Sequence, residues 1–424
     1  MKRHIKRIVE HPLISGSAII FTGTFISNIF NWLFNLFIGG HHLLSVSDYG
    51  LYSSLMSLLV LFGIFQGTLA NIFTKFSAQY TARKDEQGKS DLVSGGFRFL
   101  FLLATAILFV LCLSSWSLQS FLHIGDIRLL FLIFLTIYFS ILTALPSGVL
   151  QGELHFFFLS ATTILGPVLK IVFGIMLILL GLKVFGAMIA LVISGIIPLI
   201  LLCWYVYKKN KINLFQQGST NFKHEFIKFS LPFFLATLGI TIISSTDILF
   251  VRHFFSPENA GYYAAVSVMG KSIFYVTAPI YVVFFPLIAQ KKEKEESLRG
   301  TLLLAIGIIS FISLSASFAY FFFPQLILKI FFPASAYAGV GKYLGIYSLF
   351  MFVYSLVTLL HNFLLSLGKT QVYKINLFVA ILFIVLITFL HQTLYQVVYV
   401  LIFVSLVSLL LLLNVLWSYG KHRH

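Results

Sequence analysis

Three ionisable side chains, Lys170, Asp247 and Lys271, fall inside runs of apolar residues long enough to cross a bilayer. An ionised group at the bilayer centre costs roughly 2.5–3.5 kcal/mol on insertion scales, so each needs a wet or paired site. Lys170 follows Gly166-Pro167 by about one turn, where a proline loosens helical hydrogen bonding. It is either a cation facing a cavity or a packed or snorkelling lysine. Ser267, Lys271 and Tyr275 repeat at four-residue spacing, which puts them on one helical face and suits the wall of a lumen. Asp247 shares a polar face with Thr237, Thr241 and Ser244. Three roles are open to it: pairing with Lys271, holding a proton or cation, or sitting at the interface beside Arg252. Thr24, Asn28, Asn31 and Asn35 trace a polar stripe that lipid cannot satisfy. The stripe either lines a cavity or ties helices together, at about 0.6 kcal/mol per hydrogen bond.

The elements that position these residues follow from composition. In 424 residues, 59% are hydrophobic and 10% charged, with a mean hydropathy of +0.98. Soluble domains have roughly 45–50% apolar and 25% charged residues. Apolar runs of about 20 residues, the length of a membrane-crossing helix, recur throughout. Spans are predicted near 15–38, 50–74, 97–118, 129–150, 156–180 and 184–207, then near 227–251, 261–289, 300–323, 343–367, 372–391 and 396–417. The fold class is an all-α polytopic membrane protein of about twelve transmembrane helices, since barrel strands would alternate over about ten residues. The short links near Leu182 and Gln392 leave room for a re-entrant pair. The first run continues without a small-residue cleavage pattern, which argues against a signal peptide behind Lys2, Arg3, Lys6 and Arg7.

The net charge of +16 maps onto topology and not onto nucleic acid, which is not an expected partner. With these spans, the termini, the even-numbered loops and the span ends adjoining them hold 22 Lys and Arg residues, including Lys75, Arg83, Lys208, Lys211, Lys291 and Lys294. The opposite loops hold only Arg128, Lys183, Arg252, Lys329 and Lys342. The positive-inside rule then places both termini in the cytoplasm. A shift of 211 residues aligns His42 with His253, Ser45 with Ser256, Gly50 with Gly261 and Tyr52 with Tyr263, and further on Phe73 with Phe284, Ala78 with Ala289 and Gln79 with Gln290. We read an internal duplication into residues 1–210 and 211–424, each a six-helix bundle. An even number of spans per half gives a parallel repeat, a plan found in alternating-access transporters.

Bond-making chemistry finds little support. Gly88-Lys89-Ser90, Gly270-Lys271-Ser272 and Gly368-Lys369-Thr370 imitate a phosphate loop, but the required earlier glycine is replaced by Arg83, Ala265 and Phe363. Cys112 and Cys203 lie in apolar runs without metal-ligand spacing, and the histidines are scattered near span ends. No catalytic residue, metal or cofactor is expected, and the short loops leave no room for a soluble catalytic domain.

The segment Ser45-Val46-Ser47-Asp48-Tyr49-Gly50-Leu51-Tyr52 and its repeat, Ser256-Pro257-Glu258-Asn259-Ala260-Gly261-Tyr262-Tyr263, resemble the turn between paired helices in polysaccharide-unit flippases. These are the Wzx-like members of the multidrug/oligosaccharidyl-lipid/polysaccharide exporter (MOP) superfamily. The resemblance extends to the basic amino terminus, the twelve spans and the glycine turns at Gln151-Gly152 and Leu367-Gly368-Lys369. It implies a pair of bundles that moves an undecaprenyl-diphosphate-linked oligosaccharide from the cytoplasmic to the outer leaflet, with Lys170 and Lys271 placed to meet the diphosphate. No arginine lies well inside a span, which favours an O-antigen, capsule or exopolysaccharide unit over the peptidoglycan precursor.

The expected function is therefore that of a flippase and not an enzyme, working by alternating access in a bacterial or archaeal cytoplasmic membrane. Its substrate path would include Lys170, Lys271, Asp247, Asn28, Asn31, Asn35 and Tyr275. Its partners would be the lipid-linked oligosaccharide and membrane lipid, with a proton or sodium gradient and glycan polymerase and chain-assembly proteins as further ones. Two alternatives stand beside it: a proton- or sodium-coupled multidrug exporter using Asp247, and a membrane glycan polymerase or glycosyltransferase.

Overall fold

The computed structural model describes residues 12–40, 43–210, 223–293, 297–333, 335–369 and 371–421. The basic amino-terminal residues, His42, Lys211, Lys294 and Thr370, used above, lie outside them. Among the described residues every regular element is a helix. In chain order the first seven are α1 (Pro12–Asn35), α2 (Val46–Arg83), α3 (Glu86–Leu113), α4 (Ser115–Phe121), α5 (Arg128–Gly152), α6 (Phe156–Leu177) and α7 (Lys183–Asn210). They are followed by α8 (Lys223–Ser245), α9 (Asp247–Phe254), α10 (Pro257–Glu293), α11 (Arg299–Phe322), α12 (Pro324–Phe331), α13 (Gly341–Ser366), α14 (Val372–Phe389) and α15 (Leu394–Lys421).

Nine stretches of the described residues are long and apolar enough to cross a membrane, one of them the 54-residue Phe156–Lys209. That stretch breaks at Gly181, whose φ of 90° closes the turn between α6 and α7, so it is two full helices and not a re-entrant pair. The bent pair Leu231–Ser245 and Asp247–Phe254 adds one span, and α10, with 37 residues, is long enough for another. These helices are consistent with the expected count of about twelve. Pro146, Pro167, Pro198 and Pro232 all sit inside helices, as membrane helices tolerate when neighbouring groups satisfy the freed carbonyls.

Contacts divide the chain into two compact units, Met1–Phe34 with Phe62–Leu231, and Asn35–Leu61 with Pro232–His424. Residues 35–61, assigned by the repeat to the first half, therefore pack with the carboxyl-terminal helices. In the first unit α6 packs on α7, α7 on α5, and α5 on α3. Without a hydrophobic drive between helices in lipid, close approach needs small residues. Gly148 and Gly152, one turn apart on α5, supply it: a Cβ on either would lie 2.6 Å from the Ala70 or Thr74 carbonyl oxygen of α2. Just beyond Gly152, Glu153 has a side chain only 3% exposed and faces Lys209 Nζ at 3.3 Å and Lys89 Nζ and His155 Nε2 at 3.8 Å. This carboxylate ties the ends of α3, α5, α6 and α7.

In the second unit α13 is central, packing against α10, α11 and α15, and most of its side chains are buried. The segment 35–61 joins this unit through small residues as well. A Cβ on Gly50 would lie 2.6 Å from the Gly261 nitrogen. Gly39 and Tyr49 lie against Phe332, the two rings 5.6 Å apart edge to face.

Candidate functional site

The predicted span at 227–251 is not straight. It bends by 44° at Thr246, the residue between α8 and α9. The bend separates the polar face expected of one continuous helix. Thr241 and Ser244 stay on the wall of a cavity, whereas Asp247 turns into the core as the first residue of α9, fully buried. A helix start is where a negative charge is favoured, because the unpaired amides there carry partial positive charge.

Three further groups hold Asp247. The Tyr263 hydroxyl of α10 donates to Oδ2 at 2.9 Å, and the Tyr347 hydroxyl of α13 donates to the same oxygen at 3.1 Å. Oδ1 has no hydrogen bond but faces Lys271 Nζ at 3.6 Å. The Tyr347 hydroxyl also shares a 2.9 Å hydrogen bond with Ser267. Of the three roles the sequence left open, the structure adopts the pairing with Lys271. Asp48 lies near enough to Arg252 to act on its charge.

The cavity has a volume of about 350 Å³ and lies within the second unit. Ser267, Lys271 and Tyr275, the stripe expected to form a lumen wall, all line it, and so does Asn35. Ser53 and Ser57 of α2 and Tyr354 of α13 line it as well. Hydroxyls and one amide make up most of the polar wall, and among the described residues that line it Lys271 alone carries a charge. Lys271 thus stands between the cavity and the buried Asp247, with its side chain 17% exposed. The arrangement can hydrogen-bond a polyhydroxyl ligand, stack its apolar faces on Phe274 or Tyr275, and hold one negative group.

Lys170 lies in the first unit. It is 3% exposed, donates to Asn31 Oδ1, and sits 5.0 Å from the centre of the Phe34 ring. Asn31 also donates to the Ser27 carbonyl at 3.1 Å, and Asn28 is half-buried in the same unit. The polar stripe of α1 is therefore divided, with Asn31 serving Lys170 and Asn35 serving the cavity. Sequence reasoning missed Tyr263, Tyr347 and Tyr354 as partners. The seven-residue spacing of Tyr347 and Tyr354, two turns on one face of α13, was the available signal. Among the described residues no group of three or more His, Cys, Asp and Glu side chains could hold a metal ion.

Comparison with known proteins adds three findings. Residues 42–339 match the family model described as "Polysaccharide biosynthesis protein". Over 276 residues the chain is 25% identical to an uncharacterized membrane protein of Methanocaldococcus jannaschii, a match over 61% of this chain and 63% of that one. The chain thus spans less than two thirds of the curated relative it matches. In fold it is similar to an inward-facing multidrug resistance MATE family transporter of the MOP superfamily, with a TM-score of 0.78, 14% identity and 94% of each chain covered. It is also similar to the MATE multidrug transporter DinF-BH, with a TM-score of 0.72, 17% identity, and 97% of this chain and 96% of that one covered.

Proposed function

The chain belongs to the polysaccharide biosynthesis protein family, and from that premise we propose that it is a flippase for a lipid-linked oligosaccharide. The substrate is an undecaprenyl-diphosphate-linked glycan, moved from the cytoplasmic to the outer leaflet of a bacterial or archaeal cytoplasmic membrane by alternating access. The observation that carries this reading is the cavity of about 350 Å³ in which one ammonium, Lys271, is set among hydroxyl-bearing side chains. Sugars offer hydroxyls to such a wall and apolar ring faces to aromatic side chains, and a phosphate offers charge to the ammonium. No bond is made or broken in this reading. Both termini lie in the cytoplasm on the strength of the Lys and Arg asymmetry.

A second reading, a proton- or sodium-coupled multidrug exporter of the same fold, is favoured by the buried Asp247 beside the cavity. It is opposed by Lys271, which already supplies Asp247 with a cation and would repel a cationic drug.

The test is flipping of a fluorescent undecaprenyl-diphosphate oligosaccharide in proteoliposomes by wild type, Lys271→Ala and Lys170→Ala at matched reconstitution. Flipping that fails in Lys271→Ala supports the proposal. Absent flipping with several glycans, together with efflux of cationic dyes from the same vesicles, would transfer the assignment to the exporter.

A further inference from the structure

The Asp247 carboxylate has no surface of its own in the cavity, and its only cationic partner among the described residues is Lys271, which does line it. The repeat sharpens the contrast. Counted back by 211 residues, the positions of Asp247 and Lys271 are Leu36 and Val60, so the first repeat lacks the pair, although Val60 lines the same cavity. A charged pair placed at one of two duplicated positions, with one member wet and the other dry, does more than close a gap in packing.

We propose that the Asp247–Lys271 pair makes anion binding in this cavity proton-linked: an anionic group that draws Lys271 Nζ into the cavity leaves Asp247 to take up one proton. The proposal rests on the cavity being the anion-binding substrate site argued above. The unliganded pair is neutral overall. Moving the ammonium from Asp247 to a phosphate removes the counterion from a fully buried carboxylate, the situation in which a group neutralises instead of staying charged.

The groups around Asp247 do not replace that counterion. From α10 it faces the Tyr263 phenol besides Lys271, and from α13 the Tyr347 phenol, with Tyr354 near enough to feel its charge. The phenols donate hydrogen bonds but carry no positive charge. On its own helix Arg252 feels the charge of Asp48 and forms no ion pair with Asp247 among the described residues, and on the α15 side His391 stacks on Phe254, two turns away.

The proton comes from bulk water by way of the cavity and adds to Oδ1, the oxygen that loses the ammonium. No bond of the ligand changes, and one charge of the bound anion is offset. Because proton and anion then bind together, the affinity for the anion rises as pH falls, by up to about tenfold per pH unit for one proton. A carboxylate that competed for a cationic drug would give the opposite sign.

The test is titration calorimetry of the purified full chain in a set of buffers with different ionisation enthalpies, which counts protons exchanged on binding. The probe is farnesyl-diphosphoryl-N-acetylglucosamine, a diphosphate diester that does not itself titrate near neutral pH. UDP-N-acetylglucosamine, which carries the same diphosphate without a lipid, distinguishes a lipid headgroup from a free sugar nucleotide as the source. The expected result is uptake of about one proton per ligand in wild type, and tighter, pH-insensitive binding without uptake in Asp247→Asn. Binding to wild type with no proton uptake would overturn the linkage and leave the flippase reading intact. Binding that persists unchanged in Lys271→Met would instead remove the cavity from the anion site, and with it both proposals. If Asp247→Asn does not fold, the wild-type buffer series decides alone.

Discussion

Gly50 and Gly261, which a shift of 211 residues aligns, lie against one another, with space for a Cβ on neither. A Cβ on Gly50 would stand 2.6 Å from the Gly261 nitrogen, and one on Gly261 would overlap the Val46 carbonyl. The two similar turns thus meet at the residue they share, and the contact is backbone to backbone. Side chains can rotate away from an intrusion, but backbone must move as a whole. Gly50→Ala or Gly261→Ala is therefore expected to destabilise the second unit by about 1–3 kcal/mol, the range for overpacking a filled site. Thermal unfolding of the detergent-solubilised protein, followed by size-exclusion chromatography, reads this. An unshifted midpoint for both variants would show that the close approach is absent.

The Asp247–Lys271 pair gives a prediction in stability as well as in binding. Lys271→Met removes the counterion of a fully buried carboxylate, and breaking a buried pair in this way costs about 3–5 kcal/mol. The lower end applies, because the Lys271 side chain is 17% exposed and two phenols still donate to Oδ2. Adding Asp247→Asn to Lys271→Met should recover most of the loss, since no buried carboxylate then remains to be held charged or to be protonated. A double variant less stable than either single one would mean that the two side chains act independently.

Composition and the spacing of apolar runs were enough to read an all-α membrane fold of about twelve helices, because lipid permits few alternatives to a helix of that length. The stripe of Ser267, Lys271 and Tyr275 was legible for a related reason: α10 runs unbroken through it, so spacing alone places all three on one wall. The surroundings of Asp247 were not legible. They depend on a 44° bend at Thr246, and neither Gly nor Pro marks that position, so periodicity extended a straight polar face across it. The division of Asn31 and Asn35 between two sites was hidden too, since a helical stripe records a face and not where along the helix its neighbours change. The packing of residues 35–61 with the second unit depends on tertiary contacts at Gly39 and Gly50 that no local pattern announces.

Glu153 is expected to stabilise the first unit more than any one of its basic partners. Its side chain is 3% exposed, whereas that of Lys209, 3.3 Å away, is 38% exposed. Glu153→Gln should cost about 1–3 kcal/mol through lost charge-assisted contacts. Lys209→Ala should cost under about 1 kcal/mol, as half-exposed ion pairs do, and that contribution should shrink in high salt. Unfolding midpoints at low and high ionic strength test the ranking, and a larger loss from Lys209→Ala than from Glu153→Gln would reverse it.

Lys170 calls for a test that separates packing from transport, because the residue proposed for the substrate path is buried among partners of its own unit. Its ammonium donates to Asn31 and sits over the Phe34 ring, and its stem fills space beside them. Lys170→Met keeps the apolar stem and loses the ammonium, whereas Lys170→Ala loses both, so Ala should be the more destabilising by about 1–3 kcal/mol. Lys170 and Asn31 touch, so the cycle built from Lys170→Met and Asn31→Leu should show a coupling of about 0.5–3 kcal/mol. Flipping measured on the same variants completes the argument. If Lys170→Met is stable, couples to Asn31 and still flips the lipid-linked glycan, Lys170 is a structural tie of α6 to α1. If it is stable and flipping is lost, the ammonium leaves Asn31 during transport and meets the substrate, and the contact in the structure is its resting position.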